Sequence, residues 1–443
     1  MIRIFNRYIS IRNTLYFVFE NAFILLFLMW GTVVGTGRAN LILVPLVYQV
    51  CLYYNELRLP FPRFSLKKFW VRHLQAIFWA TVILFMIYMV IPFPVWGSLA
   101  ARLICFPFIL IGLRLGYQVL AATRRWDTTL LIIGSGPIAG LLKETLSDDP
   151  SFGYRVLHFQ WDPTDPEAVG KQRERMTEAV SRYKIKKVIV ALNDRRGSLP
   201  VESLLHLRVQ GVEIVEAISF YEKISGKILV PYLKPSNLIF SEGFKRFNLI
   251  RISKRAMDLV LAFIGLALAL PLFLLLPIWI KLDSRGPAFF RQERVGERGR
   301  PFMLMKFRSM RLDAEAVSGP VWASENDPRV TRLGKILRAL RLDELPQLIN
   351  VLRGEMSFVG PRPERPVFVE LLRRNIPYYD LRFTVKPGLT GWAQVKYHYG
   401  STEEDAVEKL QYDLYYAKHL SLFFDLTIVI ETVKVVLTSQ GAR

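Results

Sequence analysis

Four long apolar runs, separated by basic and polar segments, dominate the first 120 residues of the chain. They span Leu15–Val34, Leu41–Tyr54, Ala76–Phe93 and Leu99–Val119. The first and third are long enough to cross about 30 Å of hydrocarbon, whereas the second is short and the fourth contains Arg102 and Arg114. No small-residue cleavage site follows the first run, so we do not interpret it as a removed signal peptide. The pattern predicts a four-helix transmembrane region over residues 1–120.

Basic residues between these runs predict how the helices are oriented. Arginines and lysines are concentrated before the first run, between the second and third runs, and directly after the fourth. The first loop, by contrast, carries only Arg38. The positive-inside rule therefore places the N-terminus, the second loop and everything after Gln118 in the cytoplasm.

A polar segment from Thr128 to Phe240 alternates short apolar strands with helical stretches, which predicts a parallel sheet. The strands are expected in TLLIIGSG and at Tyr154–Phe159, Lys187–Leu192 and Val212–Glu216. Gly134, Gly136 and Ala139 fit the glycine turn of dinucleotide-binding domains, but the expected ribose-binding acid, Asp162, comes late after the second strand. We therefore predict a Rossmann-like domain over residues 121–245 and favour a folding, regulatory or dimerising role over nucleotide binding.

The fifth apolar run, Ala256–Ile280, is predicted to enter the membrane and return to the same face. The whole run is long enough to cross a bilayer. However, lysines and arginines crowd both of its ends, and Pro271 divides it into two arms that are each too short to span. The alternative is a fifth spanning helix, which would place the basic C-terminal segment outside the cell, against the charge rule.

Two basic patterns after residue 281 suit an anionic ligand. In the predicted strand FMLMKFRSM, Lys306 and Arg308 are two residues apart and project from one face, which suits a diphosphate; the alternative is a solvated edge strand. The segment TRLGKILRALRL is predicted to be an amphipathic helix. Its basic face consists of Arg332, Lys335, Arg338 and Arg341. This face either lies on anionic lipid, or one of its arginines binds a substrate phosphate.

An adjacent acid pair, Asp343 and Glu344, stands among these cations. Pro346 is tolerated only in the first turn of a helix, so Asp343 is expected at or near the N-cap of a helix that ends at Gly354. Simple capping explains such a pair by itself. The alternative is a reaction centre in which one carboxylate attacks phosphorus and the other holds a metal. Arg362, fixed between two prolines in VGPRPERP, favours the reaction centre, because a pre-set guanidinium binds phosphate bidentately.

Composition and charge narrow the class of protein. Of the 443 residues, 51% are hydrophobic, and the net charge is +21. This combination indicates a membrane protein with basic faces toward anionic lipid or phosphorylated ligands, although nucleic acid is another usual partner of such charge. Two cysteines in apolar runs, Cys51 and Cys105, and scattered histidines argue against a disulfide framework and a zinc site. A metal held by oxygen ligands remains compatible with the sequence.

The segment Lys254–Arg443 resembles the bacterial sugar transferase family, the polyprenyl-phosphate hexose-1-phosphate transferases also called monotopic phosphoglycosyl transferases. The resemblance rests on KRAMD, RQERVG, KFRSM, DPRVTRLGKILR, RLDELPQLINVLRGEMSFVGPRP, KPGLTGWAQV and KLQYDLYYAKHLSLFFDL, in collinear order. The complete chain is similar to the long, exopolysaccharide-type members. The implied fold is a membrane α-helical N-terminus, an α/β Rossmann-like domain, and an α/β catalytic domain over residues 246–443 with a re-entrant membrane helix at 256–280.

This resemblance also implies roles for particular residues. Asp343 is the expected nucleophile and Glu344 the expected ligand of Mg²⁺. The phosphate-binding arginines of the family match Arg338 and Arg362, and Lys306 lies in its active-site strand. The family often has a serine beside the kink proline of the re-entrant helix. Here that position, directly before the proline, is a leucine, so the packing of the helix is expected to differ in detail.

The implied activity is transfer of a sugar 1-phosphate from a UDP-sugar, UDP-glucose or UDP-galactose, to undecaprenyl phosphate. UMP leaves, and a phosphosugar–aspartyl intermediate connects the two halves of the reaction. Members of this kind start exopolysaccharide, capsule or O-antigen repeat units. The expected partners are the UDP-sugar, undecaprenyl phosphate, membrane lipids and a second copy of the chain, without nucleic acid. The expected location is the bacterial inner membrane, as a multi-pass protein with its catalytic domain on the cytoplasmic face.

Two other classes of function are compatible with parts of the sequence. A membrane-anchored nucleotide-sugar oxidoreductase or epimerase would use the glycine turn, but the late Asp162 counts against it. A non-catalytic membrane scaffold would use the basic surface alone. The scaffold would keep its function when Asp343 is replaced by asparagine, which separates it from the transferase.

Overall fold

The computed structural model describes residues 2–4, 7–9, 11–30, 40–55, 57, 66–90, 109–117, 119, 127–149, 152–161, 166–192, 199–241, 243–244, 248–312, 327–397, 400 and 402–437. Contacts divide the chain into two units, Met1–Ile4 with Tyr8–Phe220 and Phe5–Arg7 with Tyr221–Arg443. The predicted division into three domains, at residues 120 and 245, remains a prediction.

The N-terminal part of the chain is helical where it is described. After the short strands β1 (Ile2–Ile4) and β2 (Arg7–Ile9) come α1 (Ile11–Trp30), α2 (Asn40–Tyr54), α3 (Leu66–Val90) and α4 (109–117). Helices α2 and α3 share an apolar core in which Tyr48 and Leu52 pack near Phe69 and Ala80. By length and composition, α3 can cross a membrane over Phe69–Ile87. Spanning by the other three helices remains a prediction.

The arginine inside the fourth apolar run is neutralised by an acid from the first. Arg114 on α4 donates to Glu20 on α1 through Nε at 2.6 Å and through a second nitrogen at 3.1 Å. It also donates to the backbone oxygen of Leu57. Both charged side chains are almost completely buried. Pairing of this kind is what allows an ionised side chain inside an apolar helical region.

The first unit also contains the predicted α/β segment. Its elements are β3 (Thr128–Ile133), α5 (Pro137–Asp148), β4 (Tyr154–Phe159), α6 (Pro166–Arg182), β5 (Lys187–Val190), α7 (Val201–Val209), β6 (Glu213–Glu216) and α8 (Ala217–Ser225), of which α8 runs on into the second unit. The four strands form one parallel sheet in the order β4-β3-β5-β6. This confirms the parallel sheet that the alternation of strands and helices predicts.

The glycine turn after β3 has a structural reason in this fold. Gly134 has a φ of +118°, and a Cβ at this position would lie 2.6 Å from the backbone oxygen of Ala191. Its own carbonyl oxygen lies 2.6 Å from Nε2 of His158 on β4. Close approach of two strand ends therefore accounts for this glycine without a nucleotide. The proposed ribose acid, Asp162, lies outside the described residues.

The second unit is built around one long helix and two small sheets. Its elements are α9 (Pro235–Ile239), α10 (Asn248–Asp283), β7 (Phe289–Val295), β8 (Pro301–Phe307), α11 (Arg332–Ala339), α12 (Gln347–Arg353), β9 (Ser357–Val359), α13 (Pro366–Asn375), β10 (Gly388–Thr390), α14 (Trp392–Lys396), α15 (Glu403–Lys418) and α16 (Leu422–Leu437). Strands β7 and β8 pair antiparallel, and β9 and β10 pair parallel. One core joins α13, α14, α15 and α16, with Leu372, Trp392, Leu414 and Phe424 among its buried side chains.

Helix α10 contains the fifth apolar run, with Pro271 and Pro277 inside it. Ala262 packs against Leu348 and Val351 of α12, whereas Leu276 packs in a separate cluster with residues of β8 and α11. Both arms on either side of Pro271 thus contact the same unit. The remaining surface of the helix exposes large apolar side chains, among them Val260, Phe263, Leu268, Leu274 and Ile278.

Candidate active site

The acid pair lies in a short 3₁₀ turn, Leu342–Glu344, directly before α12. Asp343 is expected at or near the N-cap of this helix, and it lies near the N-cap but not on it, because Pro346 takes the N-cap position. The cause is Arg341. Its backbone is left-handed, with a φ of +54°, and it starts a separate turn before α12. Such a backbone costs an L-residue about 1 kcal/mol and is characteristic of functional sites. The predicted end of the helix is confirmed, because Gly354 has a φ of 83°.

Glu344 is held as an ion by two of the predicted cations. Its Oε1 accepts a hydrogen bond from Nζ of Lys306 at 3.3 Å and one from a guanidinium nitrogen of Arg362 at 2.8 Å. Glu344 is only 8% exposed, and burial alone would raise its pKa. The charges of Arg362 and Lys306 outweigh burial and hold the pKa of Glu344 far below its usual range.

Asp343 has a different environment, although it is the next residue. It is 6% exposed, and within the described ranges its carboxylate forms no hydrogen bond or ion pair. Burial raises the pKa of Asp343, and the negative charge of Glu344 raises it further. Lys306, Arg338 and Arg362 act in the opposite direction through their charges. The pair therefore combines one anchored carboxylate with one that is available to react.

Three different elements bring the cations to this pair. Lys306 lies near the end of β8, where it is paired with Phe290 of β7. Arg338 lies in the last turn of α11, and its Nε donates to Oγ of Ser309 at 3.0 Å. Arg362 follows β9 in the segment between two prolines. The structure thus places Lys306, Arg338 and Arg362 near the acids, and their roles in binding phosphate stay predictions.

Arg308 is not part of this cluster, which corrects the prediction that it shares a diphosphate with Lys306. It follows the last residue of β8, and its guanidinium donates to the backbone oxygens of Ile280, Ser284 and Arg285 and to Oγ of Ser284. Carbonyl groups at the C-terminal end of a helix lack partners within the helix and attract cations. Arg308 therefore caps the end of α10 and fixes it to β8.

Arg382 and Asp413 support the cluster, although the sequence pattern predicted no role for either residue. Arg382 donates to the backbone oxygen of Arg362 at 3.0 Å and to the carboxylate of Asp413 at 2.9 Å. It also donates to the hydroxyl of Tyr379. The side chains of Arg382 and Asp413 are 6% and 3% exposed. Both residues stand in or beside segments that carry the family resemblance, but local spacing does not connect positions 31 residues apart.

A second buried network fixes β9, which leads into Arg362. Lys254 in the second turn of α10 donates to Asp425 at 2.8 Å, to the hydroxyl of Tyr416 and to the backbone oxygen of Val359. Asp258, one turn later, accepts from Oγ of Ser357 and from the backbone N–H group of Phe358. Lys254 and Asp258 therefore hold the N-terminal part of α10 and the active-site strand β9 together.

The carboxylates fit a Mg²⁺ ion that shares its ligands with a substrate. Among the described residues, no group of three or more His, Cys, Asp and Glu side chains is placed to hold a metal by itself. Mg²⁺, however, is usually bound by one or two carboxylates together with substrate phosphates and water. Lys306 and Arg362 both use Oε1 of Glu344, so its Oε2 is a suitable oxygen ligand, whereas the carboxylate of Asp343 stays available as the nucleophile.

Because the pKa of Asp343 is raised, a reaction in which Asp343 is the nucleophile should slow at low pH. Only the ionised carboxylate attacks, so kcat/KM should fall as the pH drops through the pKa of Asp343. This fall should occur above the ordinary aspartate value of about 3.9. Lys306→Met removes a positive charge that lowers this pKa, so the acidic limb should move to higher pH. A limb that stays in place or moves to lower pH in a pH–rate profile would contradict this assignment.

Comparison with known proteins agrees with this site. Residues 249–439 match the family model described as bacterial sugar transferase. The chain is 40% identical over 241 residues to the UDP-N-acetylgalactosamine-undecaprenyl-phosphate N-acetylgalactosaminephosphotransferase of Aeromonas hydrophila, covering 54% of this chain and 55% of the relative. It is 36% identical over 309 residues to the UDP-glucose:undecaprenyl-phosphate glucose-1-phosphate transferase of Escherichia coli (strain K12), covering 66% and 64%. These two matches therefore span less than two thirds of each relative.

A shorter relative is covered more completely. The UDP-glucose:undecaprenyl-phosphate glucose-1-phosphate transferase of Caulobacter vibrioides is 46% identical over 195 residues, which is 43% of this chain and 72% of the relative. The family match contains the acid pair and all the motifs that carry the resemblance in sequence. The chain belongs to the bacterial sugar transferase family.

Proposed function

We propose that this protein transfers a sugar 1-phosphate from a UDP-sugar to undecaprenyl phosphate and releases UMP. The observation that carries the proposal is the pairing of a buried carboxylate available to react, Asp343, with an anchored one, Glu344, among Lys306, Arg338 and Arg362. Three cations around two acids suit a diphosphate substrate and a carboxylate nucleophile. The named relatives transfer phosphosugars to undecaprenyl phosphate, which supports the same class of acceptor.

The reaction proceeds in two displacements. An oxygen of Asp343 attacks the phosphorus that carries the sugar, the bond from this phosphorus to the UMP oxygen breaks, and UMP leaves with the electron pair. A phosphate oxygen of the lipid then attacks the same phosphorus, and the bond to Asp343 breaks, which restores the carboxylate. Arg338, Arg362 and Lys306 bind phosphate oxygens during both steps and stabilise the developing charge. Splitting the transfer in this way lets two bulky substrates use one site in turn.

Mg²⁺ at Glu344 would supply further positive charge for the diphosphate and for the departing UMP. Removing divalent cations with EDTA should abolish UMP release, because three cationic side chains must otherwise balance two carboxylates and a diphosphate. Adding Mg²⁺ should restore the rate, and Glu344→Gln should need a higher Mg²⁺ concentration for half-maximal activity. If the purified protein keeps its turnover after thorough chelation, the metal is not required and this part of the proposal is wrong.

The sugar and the pathway belong to the same proposal. We expect UDP-glucose or UDP-galactose as donor, and initiation of exopolysaccharide, capsule or O-antigen repeat units by a homodimer in the bacterial inner membrane. The test is UMP release in membranes that contain undecaprenyl phosphate, measured with a panel of UDP-sugars that includes UDP-N-acetylgalactosamine. Acceptor-dependent UMP release with one of them supports the function. Absence of UMP release and of lipid-linked sugar with every donor would overturn it.

Helix α10 is proposed to enter the cytoplasmic face of the membrane and return to it. Arg255 near one end donates to the backbone oxygens of Val351 and Leu352, and Arg308 binds those of Ile280 and Ser284 at the other end. Because both ends are fixed to one polar unit, both are expected on the same side of the bilayer. The exposed apolar face between them then lies in lipid, with Pro271 at the turning point.

Cysteine labelling tests this topology. Single cysteines at Asn248 and Asp283, two exposed positions at the ends of α10, are introduced after Cys51 and Cys105 have been replaced. Both should react with an impermeant maleimide only from the cytoplasmic side. Pro271→Leu should favour a straighter helix and reduce activity while the protein stays in the membrane fraction. Labelling of Asp283→Cys from the periplasm and of Asn248→Cys from the cytoplasm would show that the helix spans.

A further inference from the structure

A cavity of about 150 Å³ lies beside the acid pair, between the 3₁₀ turn and the C-terminal half of α16. Arg341 and Glu344 form its charged end. Most of its remaining wall is hydrocarbon from four different elements, and includes Leu345, Phe358, Leu389, Val435 and Val436. The cavity is therefore apolar along its length and charged only where it meets the reaction centre.

The hydroxyl groups in the wall are already used within the protein. Oγ1 of Thr432 donates to the backbone oxygen of Ile428 at 2.7 Å, and Oγ1 of Thr390 lies 2.6 Å from Oγ1 of Thr432. An ordered water molecule needs two to four polar partners, and such partners are scarce here. Apolar cavities of about 150 Å³ stay dry and bind small hydrocarbons such as benzene. One five-carbon unit of a longer chain is of comparable size.

Helix α16 carries an exposed apolar face that ends at this cavity. Phe423, Leu426, Ile430, Val433 and Val436 are large, exposed and spaced three or four residues apart, so they lie on one side of the helix. Val436, the last of them, is also part of the cavity wall. A hydrocarbon chain that lies against this face can therefore enter the cavity without crossing a polar surface.

We propose that this cavity holds the isoprenoid unit next to the phosphate of the polyprenyl acceptor, with Arg341 beside that phosphate. The inference rests on the proposed function and names a subsite for its second substrate. A chain seated against Val435 and Phe358 has its phosphate at the charged end, next to the acid pair. From there an acceptor oxygen attacks the phosphorus bound to Asp343, and the electron pair of the broken bond returns to the carboxylate.

Arg341 suits this position for two reasons. Its left-handed backbone separates it from α11, so it belongs to the turn that carries the acids rather than to the basic helical face predicted from sequence. It also lines the same cavity as Glu344, and its charge acts on that carboxylate. An acceptor phosphate at this end brings negative charge toward two acids, which a guanidinium compensates.

One feature of the wall suits a different ligand. Oε1 of Gln394 is buried and has no hydrogen-bond partner within the described part of the chain. An amide oxygen of this kind would accept a hydrogen bond from the uracil ring of the donor. We favour the isoprenoid because the accessible wall is hydrocarbon and continues into the exposed face of α16. The experiment must therefore measure donor and acceptor separately.

The test compares the same substitution at two exposed valines, one in the cavity wall and one far from it. Val436→Trp fills the mouth of the cavity, and Val209→Trp adds the same side chain on the exposed surface of α7, outside the cavity. Each variant is assayed in nanodiscs for the KM of undecaprenyl phosphate and for exchange of labelled UMP into UDP-sugar without acceptor. Val436→Trp should raise the acceptor KM at least tenfold and change the exchange rate less than twofold. Val209→Trp should change neither by more than about twofold.

Each other outcome has a definite meaning. An unchanged acceptor KM in Val436→Trp overturns the inference, and a raised KM for UDP-sugar assigns the cavity to uracil and also overturns it. Retained UMP exchange shows that the variant is folded. If exchange is lost, Val436→Cys in a background without Cys51 and Cys105 decides the question: undecaprenyl phosphate, but not UDP-sugar, should protect it from maleimide, and absence of protection overturns the inference. No exchange and no lipid product in the unmodified protein would overturn the proposed function itself.

Discussion

Replacing Asp343 with asparagine should abolish formation of the lipid-linked sugar and lower turnover by about 10⁴-fold or more. Such a loss corresponds to about 5.4 kcal/mol of transition-state stabilisation. The physical reason is that an amide cannot form the covalent bond to phosphorus, while the cations around it still bind substrate. The measurement is transfer of radiolabelled sugar phosphate into the lipid fraction, together with UMP exchange in the absence of acceptor.

The same substitution should leave the fold intact. Within the described residues, the Asp343 carboxylate forms no hydrogen bond whose loss would strand a buried partner. The apparent melting temperature in detergent should therefore stay within a few degrees of that of the unmodified protein. A suitable control is Asp380→Asn, which removes an exposed carboxylate that pairs with Arg373 and should change neither activity nor stability. Near-normal lipid product from Asp343→Asn would exclude the covalent route through Asp343.

The reactive part of the site could be predicted because its residues stand in short local patterns. The acids are adjacent, Arg362 is enclosed by prolines, and Lys306 lies in a short apolar run that predicts a strand. Arg308 shows where such reasoning fails. It is two residues from Lys306, but β8 ends at Phe307, so the shared strand face no longer applies to it. The carbonyl groups at the end of α10 then determine its contacts.

The supporting residues could not be predicted because their partners are distant in sequence. Lys254 and Asp425 are 171 residues apart, and no periodicity connects them. The cavity beside Glu344 is likewise built from side chains of several elements, so no continuous motif represents it. Arg341 was predicted to continue the basic face of a helix. The structure ends that helix at Ala339, because the left-handed turn at Arg341 starts the segment that carries the acids.

The second large effect is expected at Arg382, which we interpret as a positioning residue for Arg362. Arg382→Met leaves the carboxylate of Asp413 buried without its cation and the hydroxyl of Tyr379 without its donor. Breaking a buried ion pair in this way costs about 3–5 kcal/mol, so the apparent melting temperature should fall by roughly 10 °C. Arg373→Met, which breaks an exposed ion pair, is the matched control and should cost less than about 1 kcal/mol.

A double substitution separates stability from positioning. Arg382→Met with Asp413→Leu removes both charges and should recover more than half of the lost stability, since apolar side chains of similar size often replace a buried ion pair without loss. The backbone oxygen of Arg362 still lacks the donor that holds it at 3.0 Å in the unmodified protein. The guanidinium of Arg362 should therefore bind phosphate less well, and kcat/KM for the UDP-sugar should stay at least tenfold lower, which is about 1.4 kcal/mol. Most of this loss should appear in the KM for the UDP-sugar. If activity returns together with the melting temperature, the ion pair only stabilises the fold, and the positioning role is wrong.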